Sequence, residues 1–328
     1  MKKICYVIPY FGKLPKGFEM WLLSCGANET IDWILYTDDR TVYDFPVNVK
    51  VKYCSYDEIK EKIQSLYNFK ISISKPWKLC EFKPAYGEIF SEDIQGYDFW
   101  GHCDMDLIWG DIRKFITDEI LDKYEKIGFQ GHSTLYKNTP EVNARYRICI
   151  DGIMNYQEAF TNEEGCFFDE VGMCNLYDAL DIPFYKETNF AHLDRFTNSF
   201  FLLYLPEDEN YKNNRQIFTW EKGVIKRHFV EEEKVRQEEY MYLHLFSRPI
   251  SFKTHIYCEE ELYVIYPDIV RNINKNVLDL NFVKRHGRCS VLRFYVKVAY
   301  FNRKKITLKK IIFNLKKKRS LSKQRGYK

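Results

Sequence analysis

Glycine and proline are sparse in this 328-residue chain, at 15 and 10 residues, which excludes a collagen-like or low-complexity polymer. None of the ten cysteines stands three positions from another, so the C-x-x-C spacing of a zinc knuckle or a dithiol redox motif is missing. There is no G-x-x-x-x-G-K-[ST] loop and no G-x-G-x-x-G, which argues against P-loop nucleotide hydrolysis and a Rossmann dehydrogenase. H-E-x-x-H and G-x-S-x-G are absent too, removing the common zinc-protease and serine-hydrolase signatures. No window approaches the ~18 uncharged apolar residues of a membrane span. The opening apolar run stops at Pro9 and is followed by Gly12 and Lys13 without a small-residue cleavage site, so no cleaved leader is expected. No internal repeat is found.

Aromatic residues are abundant at 17 %, within 45 % hydrophobic and 29 % charged residues, so a large buried core is expected and extended disorder is excluded. Several cysteines sit inside apolar runs, where a thiol acts as a small hydrophobe, and the expected compartment is the reducing cytoplasm. The net charge of +4 conceals an asymmetry. The last acidic residue is Asp279, and residues 284–328 hold 17 Lys and Arg with no Asp or Glu. The remainder has 33 basic and 46 acidic residues, a net charge of −13. Within the basic segment Ile306, Leu308, Ile311, Ile312 and Leu315 recur at near-helical spacing. That pattern describes a helix with one apolar stripe and a cationic remainder, suited to the anionic inner face of a cell membrane. A disordered basic tail is the alternative. Nucleic acid is not an expected partner, because basicity is confined to one end of an acidic chain.

Ile4–Ile8 and 32–37 are apolar runs without alternation, as in strands buried on both faces. Val47–Tyr53 reads as a third strand, and Phe18–Cys25 and Tyr56–Tyr67 as helices between them. Strands alternating with helices predict an α/β fold with a mainly parallel sheet. Ser74 is placed to cap a helix that carries Pro76 in its first turn and kinks at Pro84 before ending at Phe90. Strands follow at Tyr97–Cys103 and Gly128–Tyr136, and a helix at Asp169–Leu180. Extended segments are expected from Phe200 to Val230, turning at Glu221-Lys222-Gly223, and an amphipathic helix at Val235–Phe246.

The sharpest feature is Asp104-Met105-Asp106, at the end of the apolar strand Tyr97–Cys103. In an extended chain residues i and i+2 point to the same side, so both carboxylates face one spot. A divalent cation relieves their repulsion, and hard Mg²⁺ or Mn²⁺ prefers such oxygen ligands. A cation so held can bind a diphosphate and stabilise its charge as it leaves. In open α/β sheets ligands bind beyond the carboxyl ends of the strands, where this motif lies. Solvated loop charges are the alternative for any single D-x-D.

Together, the Ile4–Ile8 strand, Thr37-Asp38-Asp39 after the second strand, and Asp104-Met105-Asp106 resemble the GT-A glycosyltransferases, which use nucleotide sugars. Three stretches narrow the resemblance: 75–87 (KPWKLCEFKPAYG), 100–111 (WGHCDMDLIWGD) and 242–248 (YLHLFSR). They are similar to a poorly characterised bacterial group of glycosyltransferases from surface-polysaccharide (capsule and lipopolysaccharide) clusters. The resemblance runs from Lys2 to Arg248.

The resemblance implies roles by position. Asp104 and Asp106 would bind Mn²⁺ or Mg²⁺, with His244 as a third ligand from a late segment. Pro9, Tyr10, Phe11, Thr37 and Asp38 would surround the nucleotide base and ribose. Lys78 and Lys83 would reach phosphates or the donor sugar, near Cys103 and Asp104. Gly131 and His132 would touch the sugar. If the reaction inverts the sugar configuration, a base must take the acceptor proton. Glu170 is the leading candidate, with Asp169 beside it and Asp151 behind. Bland readings stay open for each: surface charge for the lysines, a structural role for the histidines, and helix-dipole matching for Asp169 and Glu170.

The expectation is a GT-A-like catalytic domain over 1–283, with a nucleotide-binding half (1–110) and an acceptor half (111–283), and a membrane-associating tail over 284–328. It would move a hexose from a UDP-sugar to a glycan, lipid-linked or free. Two other classes compete: a haloacid-dehalogenase-like phosphatase, which also uses strand–D-x-D, and a catalytically silent membrane adaptor. The phosphatase pattern puts its D-x-D near the chain start and a Thr or Val after it, and this chain does neither.

Overall fold

A computed structural model describes residues 1–213, 215–253, 258–273 and 278–301. The apolar stripe from Ile306 to Leu315 therefore lies outside the described residues. The first sheet contains β1 (Ile4–Pro9), β2 (Ile31–Thr37), β3 (Val49–Tyr53) and β4 (Phe99–Cys103), all parallel in the order β3-β2-β1-β4. After β4 the chain lays β5 (Leu107–Trp109) in a different sheet, then returns with β6 (Lys126–Gln130) and β7 (Ser133–Lys137). β7 runs antiparallel between β4 and β6.

The unbroken apolar runs of β1 and β2 follow from having a core on each face. Cys5 and Val7 of β1, with Ile34 and Tyr36 of β2, enter one cluster. Ile4, Tyr6, Ile8, Ile31, Trp33 and Leu35 enter the other. Helix Tyr56–Gln64 covers the first face with Ile59 and Ile63, and helix Phe18–Gly26 covers the second with Phe18, Trp21, Leu22 and Cys25. Helix Tyr56–Gln64 starts at a capping box, in which Ser55 accepts from the Glu58 N–H and the Glu58 carboxylate accepts from the Ser55 N–H.

The remaining strands are β8 (Phe190–His192), β9 (Gln216–Glu221), β10 (Val224–Glu231), β11 (Lys234–Tyr240), β12 (Tyr242–His244), β13 (Ser251–Phe252), β14 (Leu262–Ile265) and β15 (Ile269–Ile273). Six of them form the sheet β11-β10-β9-β14-β15-β13, and β5-β12-β8 form a third sheet. Lys222 and Gly223 both have positive φ, making the tight β9–β10 turn expected at that site.

Three expectations are corrected. Val235–Phe246 is not a helix: β11 pairs along its length with β10, and β12 leaves for another sheet. Cross-strand partners supply the hydrogen bonds a helix would make internally, so tertiary pairing overrides local spacing. Gly128–Tyr136 is a hairpin of two strands, turned at Gly131-His132. Pro76–Ala85 is a 3₁₀ helix preceded by Lys75 rather than a helix capped by Ser74.

Helix Leu280–His286 spans the expected start of the basic tail and buries Val283 against Ile217, Val264 and Tyr266. Helix Val291–Phe301 follows, with Phe294 fully buried. Among the described residues no helix is long and apolar enough to cross a membrane.

Ile34→Ala, in the β2 core, should lower stability by about 2–5 kcal/mol, whereas Ser55→Ala, removing only the helix cap, should cost about 1 kcal/mol. Denaturant unfolding of both variants checks the ranking; equal losses would contradict this account of the two-sided core.

Candidate active site

Strand register assembles the site. Cys103 pairs with Ser133 across β4 and β7, and one residue further on the Asp104 N–H donates to the His132 carbonyl at 3.0 Å. β5 starts immediately after Asp106 and pairs antiparallel with β12, setting His244 opposite Leu107. The next step of that ladder is the Leu245 N–H on the Asp106 carbonyl at 2.9 Å. On its other edge β12 pairs with β8, so His244 lies beside His192.

Ligand atoms of Asp104, Asp106 and His244 thus lie within 4.8 Å of one another. His244 Nε2 is 3.2 Å from Asp106 Oδ1, and the Ser247 N–H donates to Asp106 Oδ2 at 2.6 Å. Burial alone would raise the Asp106 pKa, but His244 and this N–H hold it below the ordinary carboxylate value. Phe246 and Ser247 both adopt positive φ, a strained backbone that aims the Ser247 N–H at Asp106. The loop is fixed by buried Arg248, which donates to the carbonyls of Pro267, Asp194, Thr197 and Ser199.

The segment 75–87 is a scaffold for the same spot. The Lys83 ammonium is buried and donates to Asp104 Oδ1 and the Gly131 carbonyl, each at 2.7 Å, with Asp169 Oδ2 at 3.5 Å. Burial opposes its charge, but Asp104 and Asp169 raise the Lys83 pKa above the ordinary value. Glu81 accepts the consecutive backbone N–H groups of Cys166, Phe167 and Phe168, pinning the loop that leads to Asp169 and Glu170. Glu170 Oε1 accepts the Gly131 N–H at 2.9 Å. A Cβ on Gly131 would lie 2.2 Å from Asp169 Oδ2, so only glycine permits this approach.

A cleft of about 790 Å³ opens in front of this scaffold, at the carboxyl ends of β1 and β4. Of the expected site residues, Pro9, Tyr10, Phe11, Lys83, Cys103, Asp104, Asp106, His132, Glu170 and His244 line it. Other expected residues lie elsewhere. Lys78 is buried away from the cleft, donating to the carbonyls of Ala159 and Glu164. Thr37 is buried and accepts from the Asp39 N–H, and Asp38 accepts from the Gly12 N–H. Asp151 is exposed in a turn and does not border the cleft. Asp169 sits behind the wall, against Lys83. Gly131 is likewise behind, tying Glu170 and Lys83 together.

His192, Trp77, Phe167, Tyr204, Phe246 and Ser247 also line the cleft and were not among the expected residues. Phe246 and Ser247 stood in a quoted stretch beside His244. His192 carried no local signal, because its position depends on β8 pairing with β12.

Burial raises the pKa of Asp169 to about 7, although Lys83 pulls against it. Burial lowers that of His192 to about 4 and holds His132 well below its usual value. An Asp whose pKa is raised in the folded state favours folding most when protonated. Its contribution is full below about pH 4, declines towards pH 7 and is constant above. Asp169→Asn should therefore gain stability over the parent as pH rises from 4 to 7, with no further divergence above 7. Thermal unfolding of both proteins across that range checks this; parallel curves would contradict it.

Residues 6–274 match the family described as "Family of unknown function (DUF6625)", and the chain belongs to that family. No curated protein matches it. Among solved structures, the crystal structure of mouse xyloside xylosyltransferase 1 in its apo form is similar, at 10 % identity and a TM-score of 0.32, over 59 % of this chain and 88 % of that one.

Proposed function

We propose that the chain is a metal-dependent glycosyltransferase moving a hexose from a UDP-sugar to a hydroxyl of a surface-polysaccharide acceptor, lipid-linked or free. The observation that carries this reading is the acidic pair Asp104 and Asp106, joined by His244, beside parallel strand ends in an open cleft. Its volume of about 790 Å³ suits a small-molecule ligand. Trp77, Phe167 and Tyr204 add partly exposed aromatic faces at the lining, suited to the C–H faces of sugar rings.

The two carboxylates fit a hard divalent cation, Mn²⁺ or Mg²⁺, and the imidazole adds a nitrogen donor that suits Mn²⁺. When bound, such an ion supplies positive charge for the leaving diphosphate. Lys83 orients Asp104, and the Ser247 N–H with His244 orients Asp106. In an inverting reaction the acceptor oxygen bonds to the anomeric carbon as the bond from that carbon to the phosphate oxygen breaks. The electron pair leaves on the diphosphate, and the acceptor proton passes to Glu170.

Asp106→Asn should abolish transfer at unchanged thermal stability, and EDTA should do the same to the parent. Glu170→Gln should lower turnover at least a hundredfold with donor affinity retained. A screen of nucleotide sugars for metal-dependent hydrolysis provides the assay. Full activity of Asp106→Asn, or full activity in EDTA, would refute metal dependence. Lost donor affinity at normal turnover would reassign Glu170 to binding.

The membrane reading finds support in helix Val291–Phe301. One face anchors to the body through Phe294 and through Arg293 and Lys297, which pair with Asp268 at 2.8 and 3.2 Å. The other turns Leu292, Tyr295 and Val296 outward, with Leu292 76 % exposed. Beside it, Arg271, Arg288 and Arg293 border a hollow of about 320 Å³. In the sequence, 12 further Lys and Arg follow residue 301 with no acidic residue. Each basic group near an anionic leaflet adds about 1 kcal/mol of attraction. Leu292→Glu with Val296→Glu should cut co-sedimentation with anionic vesicles at least tenfold while leaving nucleotide-sugar hydrolysis intact. Failure of the parent to sediment with such vesicles at low salt would refute membrane docking.

A further inference from the structure

His132, His192 and His244 come from three separate strand ends and meet at the cleft floor, with ring centroids 4.3, 4.5 and 5.1 Å apart. One ligand nitrogen from each lies within 4.8 Å of the others. All three are buried, at 2, 7 and 4 % exposure. Among the described residues His132 Nε2, His244 Nδ1 and both nitrogens of His192 have no hydrogen-bond partner. A buried polar atom left without a partner loses its hydration with nothing in return. Three polar rings gathered at that cost call for a common partner.

We propose that His132, His192 and His244 form a nitrogen-donor site for a first-row transition ion of the zinc class, distinct in chemistry from the acidic pair. Imidazole nitrogens suit Zn²⁺, Co²⁺ and Ni²⁺, whereas Mg²⁺ requires oxygen. The surroundings are those of ligating histidines. His132 Nδ1 bonds the Tyr242 hydroxyl at 3.0 Å, which fixes its ring and leaves Nε2 for the ion. Phe190 and Phe246 pack edge-on against His132 and His192, limiting water. Zinc–nitrogen bonds are about 2.0–2.1 Å, and one nitrogen from each ring already lies within 4.8 Å of the others. His244 belongs to both donor sets, with Nε2 towards Asp106 and Nδ1 unpartnered. The cleft would then distinguish two cations, oxygen-seeking at Asp104 and Asp106 and nitrogen-seeking at the histidines.

The test is calorimetric titration of the full chain, stripped by chelator and dialysed, with Zn²⁺ and separately with Mg²⁺. Zn²⁺ should bind one equivalent in the parent and equally in Asp104→Asn. His192→Gln should weaken Zn²⁺ at least tenfold and leave Mg²⁺ unchanged. Co²⁺ in the unmutated protein should give the visible d–d bands of nitrogen ligation, a readout that needs no variant to fold. Equal Zn²⁺ affinity in the parent, His192→Gln and His132→Gln, or Co²⁺ remaining spectroscopically hexaaqua-like, would overturn the proposal. Those results would leave the acidic-pair reading standing, because Asp106→Asn tests that separately.

Discussion

β12 is three residues long and hydrogen-bonded on both edges, antiparallel to β5 and parallel to β8. Its register brings residues more than a hundred positions apart into one cluster. A slip of one residue along either neighbour would turn His244 away from Asp106 and His192. The anchors around β12 serve this constraint: Arg248 holds the loop after it, and Tyr242 reaches back to His132.

Electrostatics complete what register begins. Asp104 and Asp169 flank one buried ammonium, Lys83, which also ties down the Gly131 carbonyl. Losing that cation would leave two closely spaced acids without compensation in a poorly solvated wall. The same wall carries Glu170, aimed by the Gly131 N–H. The segment 75–87 therefore acts through position: Lys78, Glu81 and Lys83 each tie a neighbouring loop to this segment.

The parallel half of the first sheet was legible because its strands bury both faces and show as unbroken apolar runs. Asp104 and Asp106 were legible because they end such a run. The second and third sheets were obscured by β11, an edge strand whose exposed polar residues follow no clean alternation, so its spacing mimicked a helix. Lys78 and Lys83 looked alike in sequence, five residues apart in one segment, yet only Lys83 faces the acidic pair. His192 was invisible without the β8–β12 pairing. Such long-range register is what local pattern does not encode.

The central claim is that the acidic pair and His244 hold a cation that in turn holds a nucleoside diphosphate. Calorimetric titration with UDP, in chelator and again with Mn²⁺, tests it most directly. Saturable 1:1 binding is expected with Mn²⁺, disappearing in chelator and in Asp106→Asn. Binding of equal strength with and without the metal, or no binding in either condition, would contradict it.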